Sequence, residues 1–452
     1  MDADVTDSAG RTPAEPADTD TGVTGDNDAE PTAPGPNRPR HWLRWTALGT
    51  SVVVLAAAGA GWWFYTKLDG NITTDTTAAA ELRTYEKERP TPIVLDAKNI
   101  LLVGSDSRSG KGNDKYGRDD SGSQRSDTTM LLHLAADRQS ATAVSIPRDL
   151  MVDIPSCRKQ DGTRSTPQFA QFNWAFQFGG AACTIRTVEK LTGVRVDHHM
   201  VVDFSGFKGI VDAVDGVEVC LKEPVEDIQA QLRLPAGTQT LDGEQALGFV
   251  RARHGIGDGS DTQRMERQQR FLGALFKKVR SNGVLLNPTR LYPVLDAATK
   301  AITTDPGLDS LTDLYELARS MQSVPVDKVQ FMTVPRQQYR ADRNRDELVQ
   351  PDAQRLFERL RDDEPVSVSA SRPASGADGP RGTEGSSDGK PGGTDRESAG
   401  PGATAGPTPG DEPSATADVA SGATAGPTAT TGATPDPGPT FEGSNAAAGA
   451  CE

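Results

Sequence analysis

The chain has 452 residues, with 48 basic and 63 acidic side chains and a formal net charge of −15. Most of that charge sits in two tails: residues 1–41 carry nine acids against three bases, and 366–452 carry eleven against four. The remainder, 41 bases against 43 acids, is nearly neutral, which excludes the broad basic surface of a nucleic-acid binder; the four cysteines lack a CxxC spacing, which argues against zinc.

Residues 1–41 contain no aromatic side chain and are rich in Asp, Thr, Ala and Pro. Such a segment cannot bury enough apolar surface to offset its ordering entropy and is expected to be a disordered cytoplasmic tail. Residues 42–66 read as one transmembrane helix. Trp45 to Tyr65 is free of charge, and its 21 residues rise to roughly 31 Å, enough for a bilayer core. Trp42 and Trp45 at one end and Trp62, Trp63, Phe64 and Tyr65 at the other form interfacial belts. Its position and the lack of a small-residue cleavage site favour an uncleaved anchor over a signal peptide. Arg38, Arg40, His41 and Arg44 precede the span, so the positive-inside rule gives a single-pass type II protein of the cell membrane with an extracytoplasmic domain. ATP is not supplied there, so any substrate must arrive already activated.

A polar connector, 67–94, leads to a domain at 95–365. Strands are expected at Asn99–Gly104, Thr128–Ala135, Ala141–Ile146, Val196–Asp203, Gly216–Leu221 and Val329–Val334. Helical spacing covers Phe169–Phe178, Thr184–Leu191, Phe204–Val214, Asp242–Arg253, Asp261–Val279, Leu308–Met321 and Pro351–Arg361, with Asp242 and Asp261 as the expected N-caps. Strands alternating with helices predict an α/β fold, a single three-layer α-β-α domain with a mixed central sheet. Phe169, Phe172, Trp174, Phe176 and Phe178 read mainly as core. Outside the membrane a disulfide becomes possible: Cys157 and Cys183 flank one short loop-rich excursion, whereas Cys220 in an apolar run reads as a buried free thiol. Residues 366–452, rich in Gly, Ala, Pro and Thr with Phe441 as sole aromatic, read as a second disordered tail.

Four segments concentrate Asp and Arg at element ends. Asp106 and Arg108 follow a buried strand in GSDSR; Asp127 opens another in RSDTT; Arg148 follows Pro147 in SIPRD. Arg251 and Arg253 then precede Arg264 and Gln268, which are four apart and share a helix face. Carboxylates beside hydroxyls can hold Mg²⁺ while leaving positions for phosphate oxygens. Guanidinium forks grip phosphate and stay charged. Singly, each aspartate could equally be a turn former. Together they describe a metal-pyrophosphate site. His198 and His199 lie in no such motif and read as packing or supporting residues.

From about Asn99 to Val334 the sequence resembles the LytR–CpsA–Psr family of cell-wall ligases. The resemblance rests on GSDSR, RSDTTMLL, SIPRD, QFNWAFQFGG, DHHMVVDFSGF, DAVDGVEVCL, LPAGTQTLDGEQALGFVRARH and DTQRMERQQRF, in that order. It implies a phosphotransferase-type ligase that moves a glycopolymer from a polyprenyl-pyrophosphate carrier to peptidoglycan at the membrane. It further implies Asp106 and Asp127 as Mg²⁺ (or Mn²⁺) ligands, and Arg148, Arg251, Arg253, Arg264 and Gln268 as pyrophosphate-holding groups, with Arg108 assisting. Arg118 and Arg125 lie in an extended loop and receive no role. Charge developing on the departing polyprenyl pyrophosphate would be stabilised electrostatically as a muramic acid hydroxyl attacks. Two other readings stay open: a phosphatase or pyrophosphatase acting on the same carrier, and a non-catalytic membrane-anchored wall regulator.

Overall fold

The computed structural model describes residues 41–105, 126–159, 161–256, 259–280, 287–369 and 440–447. Asp106, Arg108, Arg118, Arg125 and Cys451 lie outside the described residues. The chain divides into two compact units, Met1–Trp62 and Trp63–Glu452. In the first, the described part belongs to the helix His41–Asp69, of which Arg44–Asp69 is long and apolar enough to cross a membrane. This helix outlasts the expected end at residue 66, because its last turn is part of the second unit. There Leu68 is buried, Phe64 packs edge-on against Tyr292, and Asp69 accepts the backbone N–H of Leu311 at 2.9 Å.

The connector is likewise built into the fold rather than lying outside it. Thr73–Thr74 pairs in parallel with Ile302–Thr304. Asp75 caps the helix Thr76–Thr84, whose Ala78 and Leu82 enter the core. These two strands begin a nine-stranded sheet that continues through His198–Asp203, Lys98–Ser105, Ser126–Leu134, Ala141–Ile146, Val329–Thr333, Thr440–Asn445 and Ser367–Ser369. Parallel and antiparallel neighbours are mixed.

Alternation along the strands explains the layers, since successive side chains point to opposite faces. Leu101, Val103, Leu131, Val144, Ile146 and Met332 face one core, shared with the helices Asn173–Thr192 and Asp352–Arg361. Met130, Ala141, Ala143, Val329 and Phe331 face the other, under the helix Asp261–Arg280. Both faces are covered, as the run of six buried residues in Ala141–Ile146 requires. A third cluster joins the helices Phe204–Ala213 and Gly243–Arg251 to the antiparallel pair Val217–Leu221/Gly237–Leu241.

Four further expectations change. The segment from Phe169 is first a strand, Gln168–Gln171, paired with Met151–Ile154, and the helix begins only at Asn173. Period-two exposure there outweighed the helical spacing, leaving Phe169 exposed while Phe172 and Phe176 are core. Asp261 does not cap its helix. Ser260 does, accepting from the Gln263 and Arg264 N–H groups, which frees Asp261 for ion pairs. The segment 366–452 contributes two sheet strands, and Phe441 drives this by burying its ring in the main core. Finally, Cys220 is disulfide-bonded rather than a free thiol.

Cys157 and Cys183 are joined, 26 residues apart. The helix bearing Cys183 breaks at Gly179 and Gly180 to pass the bridge. A Cβ at Gly179 would lie 2.8 Å from the Arg158 carbonyl oxygen and 3.2 Å from Cys157 Cβ, so glycine is required there. Replacing both cysteines by serine is expected to lower stability by about 3 kcal/mol, read as a lower denaturant midpoint at unchanged slope. Alkylation of the denatured wild-type chain should label Cys220 only after reduction.

Candidate active site

The sheet brings the chemical segments to one edge. Ser105, the end of its strand, is registered beside Asp203, the end of the neighbouring parallel strand. Thr129 lies opposite Ile146, so Asp127 and Arg148 emerge side by side. Val329–Thr333 runs parallel to Ala141–Ile146 and ends at the same edge. Open α/β sheets bind ligands beyond their strand ends in such places.

Arg148 bridges two carboxylates. Its Nη1 donates to Asp127 Oδ1 at 3.0 Å and its Nε to Asp149 Oδ2 at 3.1 Å. Burial pushes the Arg148 pKa down, but Asp149, Asp127 and Asp261 outweigh it and raise the value above the ordinary one. On the facing helix, Arg264 Nη2 donates to Asp261 Oδ2 at 3.1 Å, and Arg253 Nη2 lies 3.2 Å from Asp261 Oδ1. Arg264 is 7% exposed. Burial first, then the neighbouring Arg253 and Arg148 cations, hold it down to about 10 despite Asp261 and Asp127. Among the described residues Arg264 Nε and Arg253 Nη2 are buried donors without a hydrogen-bond acceptor; the Arg253–Asp261 approach lacks hydrogen-bond geometry. Unsatisfied buried donors on two adjacent guanidinium groups are what an anion would complete.

Gln268 and Arg251 stand differently. The Gln268 amide donates to Val250 O at 3.1 Å, and its Oε1 lies 3.4 Å from Thr128 Oγ1. With Arg267, which donates to the Phe249 and Ala252 carbonyls, it satisfies the end of the helix Gly243–Arg251. Gln268 thus ties the arginine-bearing helix to the strand that carries Asp127. The Arg251 guanidinium lies 4.6 Å over the Phe204 ring, beside the strand end that leads to Asp106.

Three supporting elements were not anticipated. Asp227, 2% exposed, accepts four backbone N–H groups, including those of Arg253 and His254. Burial pushes its carboxyl up, and these donors more than reverse the push, so the backbone at Arg253 is fixed. The hairpin Arg336–Tyr339/Asp342–Leu348 adds Arg336, which donates to Asp346 and to Thr262 Oγ1, and Arg345, which reaches Asp149 Oδ1 at 3.4 Å. Asp346 is raised by burial and by nearby Asp261 and Asp149, against the pull of Arg336. Gln171 Nε2 also donates to Asp149 Oδ1, at 2.5 Å. Aspartates beside paired arginines were the available signals; nothing in sequence spacing located them here.

Among the described residues no group of three His, Cys, Asp or Glu side chains is placed to hold a metal. Asp127 is 38% exposed and spends Oδ1 on Arg148, while its Oδ2 has no partner among the described residues. That open carboxylate oxygen is compatible with a hard cation.

A family model for the LytR_cpsA_psr family matches residues 68–362. The probable cell wall biosynthesis protein LcpB of Corynebacterium glutamicum is 39% identical over 229 residues, 50% of this chain and 52% of LcpB, so the chain spans about half the length of that relative. TagU of Enterococcus faecalis, named a polyisoprenyl-teichoic acid–peptidoglycan teichoic acid transferase, is 33% identical over 232 residues, 50% of this chain and 69% of TagU. A solved LytR-Csp2A-Psr enzyme from Actinomyces oris aligns with a TM-score of 0.48 at 22% identity, covering 60% of this chain and 93% of that one. On the extent of the family match, the chain belongs to the LytR_cpsA_psr family.

Proposed function

We propose that the protein is a membrane-anchored transferase, with its domain outside the membrane, that moves a glycopolymer from a polyprenyl-pyrophosphate carrier to a hydroxyl of peptidoglycan. The observation that carries this reading is the pair of buried donors unsatisfied among the described residues, Arg264 Nε and Arg253 Nη2, with the Arg264 guanidinium close enough to Arg148 and Asp127 to feel both charges. The name of the TagU relative supports the acceptor and donor classes. Arg253 and Arg264 hold the diphosphate, and Arg148 is positioned by Asp127 and Asp149 to face charge that grows during transfer. The acceptor oxygen bonds to the sugar-side phosphorus and the bond from that phosphorus to the bridging oxygen breaks. The leaving group is therefore polyprenyl phosphate and not, as expected from the sequence, the whole pyrophosphate; the hydroxyl proton leaves to base or solvent. Asp127, with Asp106 outside the described residues, would hold a Mg²⁺ or Mn²⁺ ion. Bound there, such an ion would neutralise phosphate charge.

Product analysis tests this reading. Full-length protein in detergent, given lipid-linked glycopolymer and polymer-free peptidoglycan, is expected to yield polymer covalently bound to peptidoglycan, less of it with chelator. Free polymer at an equal rate with or without acceptor would identify a hydrolase instead.

A further inference from the structure

Resting on that transferase reading, we propose that Phe169 and Tyr339 form a stacking surface for a sugar of the acceptor peptidoglycan strand, with the exposed Arg340 and Arg343 on the adjoining hairpin turn.

Phe169 is 53% exposed; a single exposed ring is ordinary, but this one lies against a second aromatic ring. Its ring centroid lies 6.1 Å from that of Tyr339, the planes inclined by 60°. The two rings come from separate elements, the Gln168–Gln171 strand and the last residue of the Arg336–Tyr339 strand. Both elements are fastened to the same aspartate. Gln171 Nε2 and Arg345 Nη1 donate to Asp149 Oδ1, and the Asp346 N–H donates to the Asp149 carbonyl. Asp149 in turn grips Arg148. Phe169 and Gln171 are two apart in one strand, so they share a face and stand about 7 Å apart. The rings are therefore held at a set distance from the arginine that faces the reacting phosphate.

A pyranose ring turns C–H bonds toward an aromatic face, whose quadrupole is negative there. Arg340 and Arg343, at and beside the two-residue turn, are exposed and have no ion-pair partner among the described residues. Peptidoglycan offers both features needed, sugar faces and peptide carboxylates. The donor end of the reaction is already occupied by the phosphate-holding arginines, which leaves this flank for the acceptor.

The test has two arms, both with the full chain in detergent. Co-sedimentation with polymer-free peptidoglycan and the acceptor KM read the surface, and calorimetric binding of a short polyprenyl pyrophosphate reads the donor site. Phe169→Ala and Tyr339→Ala are each expected to weaken peptidoglycan retention and raise the acceptor KM roughly five- to tenfold, with donor affinity retained. Phe169→Trp should restore retention, which separates stacking from folding. Retention by Phe169→Ala equal to wild type, loss confined to the donor arm, or no retention of the wild type itself would overturn the proposal. Wild-type retention that depends on Phe169 but is accompanied by no polymer transfer would leave the stacking surface standing and sink the transferase reading.

Discussion

Arg148→Ala is expected to reduce transfer of polymer to peptidoglycan by a factor of about 10²–10³. Among the described residues Arg148 is the one cation hydrogen-bonded to both Asp127 and Asp149. On the proposed reaction its removal takes a positive charge from the place where phosphate charge would grow, and it leaves the Asp127 carboxylate without its Arg148 partner. Asp149 keeps Gln171 and Arg345, so the local backbone should hold and the melting temperature should move little. Arg270→Ala is the control: it lies on the exposed side of the helix Asp261–Arg280, paired among the described residues only with Glu266 at 3.7 Å, and should transfer like wild type. Initial rates at saturating donor, with melting curves of both variants, check the expectation. Comparable losses in the two variants would mean that Arg148 acts through general surface charge.

Arg264→Met is expected to separate stability from ligand binding. In the free protein this guanidinium is buried, with its pKa lowered to about 10 by desolvation. A cation with a depressed pKa costs folding stability at every pH below that value, and the cost fades as pH rises through about 10 toward the unfolded value. Replacing it with an apolar side chain of similar length should leave the unliganded protein as stable or slightly more so. Stabilisation by pyrophosphate should shrink. At ligand a thousandfold above Kd the wild type gains about 4.1 kcal/mol, and a hundredfold weaker variant only about 1.4 kcal/mol. Thermal unfolding with and without a short polyprenyl pyrophosphate reads both quantities.

The parts of the fold legible in sequence were those in which local pattern and burial agree. Ala141–Ile146 is apolar enough to be buried on both faces and ends at Pro147, so the place where Arg148 emerges could be read directly. Helix ends were less legible, since Asp261 looks like a cap until Ser260 is seen to supply that bond. The polar hairpin 336–348 gave little core signal, because apart from Leu348, which packs on the main core, it is tied by polar contacts to Asp149 and Thr262 and by its own Arg336–Asp346 pair. The strand Thr440–Asn445 sits in sequence whose composition argues against order, and one buried ring, Phe441, anchors it. The strand-end positions of Asp127 and Arg148 were therefore visible, whereas the carboxylates and amides that contact Arg148 and Asp149 depend on tertiary contacts that spacing does not encode. Gln268 illustrates the same limit: its helix face was right, yet its amide is spent on Val250 O.

The most direct measurement is calorimetric titration of the full chain in detergent with a short polyprenyl pyrophosphate and with the matching monophosphate. Recognition by Arg253 and Arg264 requires one-to-one binding, with the pyrophosphate favoured by at least about tenfold, falling with salt and lost in Arg264→Met. Equal affinity for the two ligands, or pyrophosphate binding indifferent to Arg264, would contradict it.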